Sequence, residues 1–171
     1  MPRARWSHLS SRTAVPVILL LACLFTLHCD DSTEVIDTGS GPYSLRFSLA
    51  ADFQLYGGQT VAWALLRSDN GEKLVEGRGT ISPTTNPAFS VNTGNVMLIG
   101  VPHQMHYWID SNEGGGTPGV CDPVERDEDG EVIEPYDMQW IAPFGGVTDD
   151  LVFIAIYSPD LVQDVCDTFT F

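Results

Sequence analysis

The chain has 171 residues with 23 Asp and Glu against 8 Lys and Arg, a formal charge of −15. That length holds one domain with its own core and needs no second one. A surface so negative cannot neutralise phosphates and is repelled by anionic headgroups, which sets nucleic acid aside as a partner.

The first 13 residues carry Arg3, Arg5 and Arg12 and no acid, and an apolar run from Ala14 to Leu27 follows, broken only by Pro16 and Thr26. This is the charged n-region and apolar h-region of an export signal. Fourteen residues rise only about 21 Å as a helix, short of the roughly 30 Å of a bilayer core, so a signal helix fits better than a membrane span. Within the run, Leu20-Leu21-Ala22-Cys23 has the order of a lipobox and resembles the signal of bacterial lipoproteins. That resemblance implies lipidation of the cysteine sulfur before cleavage. Cys29 competes, because Asp30-Asp31-Ser32-Thr33 after it has the polarity of a tether, although His28 stands where a small residue is preferred. Either cleavage places residues 1–28 largely in the signal and leaves residues 29–42 as a flexible, Gly-Ser-rich tether. Removal of the leader takes all three of its arginines, so the mature chain carries 5 − 23 = −18. Attachment to the membrane then falls to the acyl chains alone.

From Tyr43 the pattern changes. Tyr43, Leu45, Phe47, Leu49, Ala51 and Phe53 alternate with smaller or polar residues, predicting a strand with one buried face. Thr60 to Leu66 is apolar on both faces and passes through Ser68-Asp69-Asn70-Gly71 into Lys73-Leu74-Val75, the pattern of a hairpin. Further strands are expected at 80–82, 88–91, 96–101, 105–110, 138–142, 151–157 and 167–171. Leu151 to Tyr157 is apolar on both faces, which predicts a central strand covered on each side. Only Ser158-Pro159-Asp160 has the form of a helix start, with room for one short turn before Cys166. Residues 43–171 are therefore expected to form an all-β antiparallel sandwich of immunoglobulin or transthyretin type. Cys121 and Cys166 are the only cysteines in it, and in an oxidising compartment an even pair predicts a disulfide. Parity favours cleavage at Cys29 and the lipobox favours Cys23.

One connection breaks the spacing: the 27 residues between Asp110 and Met138 lack strand periodicity. From Asp110 to Asp137 the chain holds ten carboxylates and a single cation, Arg126. Asp110-Ser111-Asn112-Glu113-Gly114 places oxygen side chains at alternate positions before a glycine, the layout of a calcium loop. Asp110, Asn112 and Asp137, with Asp122, are the candidate ligands for calcium. Asp127-Glu128-Asp129-Gly130 repeats the layout, but a solvated Asp-Gly turn explains it better, since Tyr136 stands where an EF-hand would have its bidentate glutamate. The segment Tyr107-Trp108-Ile109-Asp110-Ser111-Asn112-Glu113-Gly114, with Cys121-Asp122-Pro123 and Asp137-Met138-Gln139-Trp140, resembles uncharacterised secreted bacterial β-sandwich domains. The resemblance implies no activity, only that Asp110 and Asp137 mark the two ends of one connection on one rim.

His103 and His106 suggest a copper site, but residues three apart on a strand face opposite sides. Trp63, Trp108 and Trp140 suit a core better than a sugar-stacking platform, unless Trp108 and Trp140 share an exposed surface. No nucleophile elbow, phosphate loop or His-Glu-x-x-His is present, so no enzyme is expected. The sequence thus leads to a non-enzymatic, envelope-tethered lipoprotein, a binding or structural module whose partner is an envelope protein or a glycan. A carbohydrate-binding module stands second and a copper-handling protein third.

Overall fold

A computed structural model describes residues 34–37 and 41–169. The leader, with Cys23, Cys29 and the signal helix, lies outside the described residues. So does the tether, apart from residues 34–37 and 41–42.

The described residues form ten strands, β1 (Glu34–Asp37), β2 (Tyr43–Leu49), β3 (Thr60–Arg67), β4 (Lys73–Thr80), β5 (Phe89–Met97), β6 (Pro102–Glu113), β7 (Glu125–Arg126), β8 (Val132–Ile133), β9 (Tyr136–Gly146) and β10 (Leu151–Ala155). They form a five-stranded sheet in the order β1-β4-β3-β6-β9, a three-stranded sheet β10-β2-β5, and a small β7-β8 hairpin. Every pairing is antiparallel except β10 with β2. The two larger sheets pack face to face, so the expected all-β sandwich is what the chain forms. Helical structure among the described residues is limited to 3-10 turns at Ala51–Tyr56, Pro159–Leu161 and Cys166–Thr168. None of these helices is long and apolar enough to cross a membrane.

The inner faces follow the period of two. Leu45, Phe47 and Leu49 of β2 meet Val61, Trp63 and Leu65 of β3 and Met105, Tyr107 and Ile109 of β6 in one core. Phe47 lies 5.1 Å from the Tyr107 ring, and Phe144 of β9 lies 5.3 Å from Phe153 of β10, so the β9 and β10 edges stack on the same flank. The β3-β4 hairpin closes through Gly71, whose φ of 73° costs a glycine nothing and whose N–H donates to the Arg67 carbonyl.

Several elements differ from their sequence expectation. The alternation through Phe53 outruns β2, because the 3-10 turn after Leu49 folds Phe53 inward against Trp140 and Tyr157. Full burial of such a ring stabilises by about 1.5–3 kcal/mol, enough to outweigh continuing the strand. Glu34–Asp37, inside the stretch read as tether, pairs with β4 and satisfies that strand's outer row of backbone groups. Of the strand expected at 167–171, residues 170 and 171 lie outside the described residues, and its start falls in a 3-10 turn over Cys166–Thr168, beside the Cys121–Cys166 disulfide. The largest correction concerns β10. Among the described residues it is an edge strand rather than a central one, paired only with β2, and Val152 and Ile154 on its outer face are exposed.

The outer face of the five-stranded sheet is covered instead. Ala62, Ala64 and Leu66 of β3 and Trp108 of β6 pack with Val165 and Phe169 of the C-terminal segment, which crosses the face as a strap.

Candidate functional site

The antiparallel register of β6 and β9 pairs Ile109 with Met138 and then breaks until Glu113 meets Tyr136. In that gap both strands leave the ladder, and Asp137 fills the space. It is fully buried. Its Oδ1 accepts the backbone N–H groups of Ser111 (2.9 Å) and Asn112 (3.0 Å), and its Oδ2 accepts that of Asp122 (3.2 Å). The Asp137 N–H in turn donates to the Asp122 carbonyl at 3.1 Å. Ser111 closes the gap from the other side, its Oγ accepting the Met138 N–H.

The neighbouring carboxylates are used the same way. Asp110 Oδ1 accepts from Asn112 Nδ2 at 2.8 Å and Oδ2 from the Gly119 N–H at 2.8 Å, while Asp122 Oδ2 accepts the Thr117 N–H at 2.6 Å. The Asp122 carboxylate lies so close to Gly116 that a Cβ there would displace it. Asn112 turns the chain with φ 53°, a conformation asparagine tolerates better than most residues. All four predicted ligands, Asp110, Asn112, Asp122 and Asp137, thus meet in one knot. Their carboxylates point at backbone amides, and among the described residues no three carboxylate, imidazole or thiol groups are arranged to hold a metal ion.

No family model matches this chain, and no curated protein or solved structure does either.

Burial pushes the Asp137 carboxyl up to about 6, helped by the charges of Asp110 and Asp122 and opposed by the amides of Asn112 and Asp122. The knot is therefore a strained concentration of negative charge, held because three amides would otherwise lack acceptors.

A residue the sequence reading did not single out connects the knot to the strap. Gln139, fully buried, donates from Nε2 to the Asp122 carbonyl at 2.6 Å and accepts the Val165 N–H at Oε1 at 2.8 Å. Its own carbonyl accepts the Gln163 N–H. A lone amide within the apolar run Met138 to Ile141 is the signal that could have revealed it. Cys121 and Cys166 add the covalent tie between the same two segments, across a sequence separation of 45. Arg126, the one cation of the acidic connection, donates to the Gly130 and Val162 carbonyls and so also holds the strap.

The Asp127–Gly130 cluster is a local turn between β7 and β8. Asp127 Oδ1 accepts the N–H groups of Asp129 and Glu131. His103 and His106 lie on opposite faces of β6. His103 Nε2 accepts the Leu98 N–H in the interior, and His106 Nδ1 lies 2.6 Å from Thr168 Oγ1 beneath the strap. Trp63, Trp108 and Trp140 are all buried. Trp140 stacks on Tyr107 and donates to the Ser158 carbonyl, and Trp108 meets Phe169 edge-on.

Proposed function

We propose that the mature chain is a non-enzymatic, envelope-tethered β-sandwich lipoprotein that acts as a binding or structural module. The observation that carries this reading is the use of the carboxylates. Asp110, Asp122 and Asp137 each accept amide hydrogen bonds within their own loop, the work of structural acceptors rather than of a general acid or base. A loop fixed by its own side chains and a disulfide is a rigid display element or a structural clamp. The disulfide fits an oxidising, exported setting. The tryptophans a sugar platform would need are in the core, and the histidines a copper site would need face apart. The test is the mass of the natively processed protein. A diacylglyceryl cysteine at Cys23 or Cys29 is expected, and a lipid-free mature N-terminus overturns the anchor.

A second reading adds calcium to the knot, favoured by Asn112 Oδ1, which is buried without a hydrogen-bond partner while Nδ2 of the same amide meets Asp110. Binding would exchange an amide contact of Asp110 or Asp122 for the ion, so affinity would be weak, at about 10⁻⁴–10⁻³ M. Tenfold excess over that constant adds only about 1.4 kcal/mol to folding, or roughly 3–5 °C in Tm. Equal Tm shifts with calcium and with magnesium at matched ionic strength, unchanged by Asp110→Asn, would rule the ion out.

A further inference from the structure

The two larger sheets offer four edges, and three of them are closed or ill-formed for pairing. β1 is four residues long. β5 carries Gly94 at φ 72° and pairs with β2 through register shifts. The free side of β9 is occupied where the Gln139 carbonyl accepts the Gln163 N–H.

β10 is different. Its register with β2 runs without a shift from Leu151↔Leu45 to Ala155↔Leu49. The Ala155 carbonyl accepts the Ala50 N–H, so the backbone groups of Leu151, Phe153 and Ala155 serve β2. Strand geometry then turns those of Val152, Ile154 and Ile156 toward the open edge. The side chains of these three residues are 69, 56 and 72% exposed. A straight edge with an apolar outer face and no charge or proline is the arrangement that proteins ordinarily avoid, because it accepts another strand.

The charges around the edge select among occupants. Asp149 and Asp150 stand exposed just before β10, and Asp52 and Asp160 stand exposed beyond its end, where Asp52 Oδ2 accepts the Tyr157 N–H. Two copies paired antiparallel through β10 would bring Asp149 and Asp150 of one against Asp52 and Asp160 of the other. The cation of this face, Arg46, sits on β2 opposite Val152, one strand removed from the open edge. A foreign strand with basic ends meets no such repulsion.

We propose that the open edge of β10 binds an extended segment of another protein as an added strand, one with apolar side chains at alternate positions and Lys or Arg at both ends. Main-chain hydrogen bonds to Val152, Ile154 and Ile156 would supply affinity, and the acids at the two ends would supply selection. The proposal rests on the binding-module reading but not on calcium at the knot.

The test uses the exported full chain in detergent and a fluorescent octapeptide, Lys-Thr-Val-Thr-Val-Thr-Val-Lys, read by anisotropy. Saturable binding is expected, at least tenfold tighter than for the same peptide with Glu at both ends, and slowed amide exchange is expected at Val152, Ile154 and Ile156. Ile154→Lys should weaken it at least tenfold, and so should Ile154→Pro, which removes only an outward N–H. If the proline variant does not fold, the lysine variant still decides. No binding, equal binding of the two peptides, or binding indifferent to Ile154→Lys overturns the proposal. Self-association abolished by Ile154→Lys also overturns it, by making a second copy the occupant. A lipid-free N-terminus would leave this measurement unaffected, so failure of the anchor and failure of the edge are distinguishable.

Discussion

Strand β3 reads Val-Ala-Trp-Ala-Leu-Leu after its first threonine, and β10 reads Leu-Val-Phe-Ile-Ala; both are apolar on both faces. On β3 the outward-facing Ala62 and Ala64 are fully buried, whereas on β10 the outward-facing Val152 and Ile154 stand in solvent. The inward faces are alike, since Trp63 and Phe153 both pack on the shared core. What separates the strands is the cover. The strap crosses the outer face of the five-stranded sheet, and among the described residues nothing equivalent shields β10. Apolarity on both faces therefore marks a covered face on β3 and, under the proposal above, a binding edge on β10.

The contrast is broken most forcefully by placing a charge on each outer face. Ala64→Lys should destabilise by about 3–5 kcal/mol, because an unpaired ammonium is trapped under Phe169 and Val165. Ile154→Lys should change stability by less than about 0.5 kcal/mol in the same urea titration. Comparable losses in both would mean that β10 is covered.

Removing the cover should sharpen the comparison. Cys121→Ser with Cys166→Ser frees the strap and should cost about 3–4 kcal/mol for a loop of this length. Amide exchange in β3 should quicken while that in β10 stays unchanged. Asp137→Ala attacks the same region from the loop side, leaving the amides of Ser111, Asn112 and Asp122 without an acceptor. A loss of about 2–4 kcal/mol is expected by denaturation, again confined to the knot and the strap.

Acidification gives the smallest effect. The Asp137 carboxyl sits at about 6 when folded against 3.8 when free, so the folded protein binds the extra proton between those values. The stability gained from that proton is fully present below about 3.8 and is lost as the pH rises through about 6. Lowering the pH from 7 to 5 should add about 1 kcal/mol, seen as a higher Tm. Reduced repulsion among the other acids acts in the same direction, so the decisive measurement is Asp137→Asn, in which this part of the slope should vanish.

Much of the sandwich was legible because Tyr43 to Leu49, Thr60 to Leu66 and Met105 to Asp110 carry their burial in a period of two. The disulfide was legible from parity, and the meeting of Asp110 with Asp137 from the two ends of one acidic connection. The role of β10 was not, because period and polarity are the same for a strand covered by its own chain and one left open. Nor was the strap. Asp167-Thr168-Phe169 alternates like a strand, and only a tertiary tie through Cys166 makes it turn. Gln139 stood out only as a lone amide in an apolar run, and its role stayed hidden because its three partners are backbone groups, which no side-chain pattern names.

Glu34–Asp37 seals the β4 side of the five-stranded sheet, and the bare backbone of β10 lies on the other flank, beside β9. Among the described residues, one flank of the domain is thus closed by an added strand and the other keeps an unpaired edge. Under the proposal above, a bound strand would join the domain at the flank away from β1, so the two sides of the sandwich would differ in use as they differ in strand number.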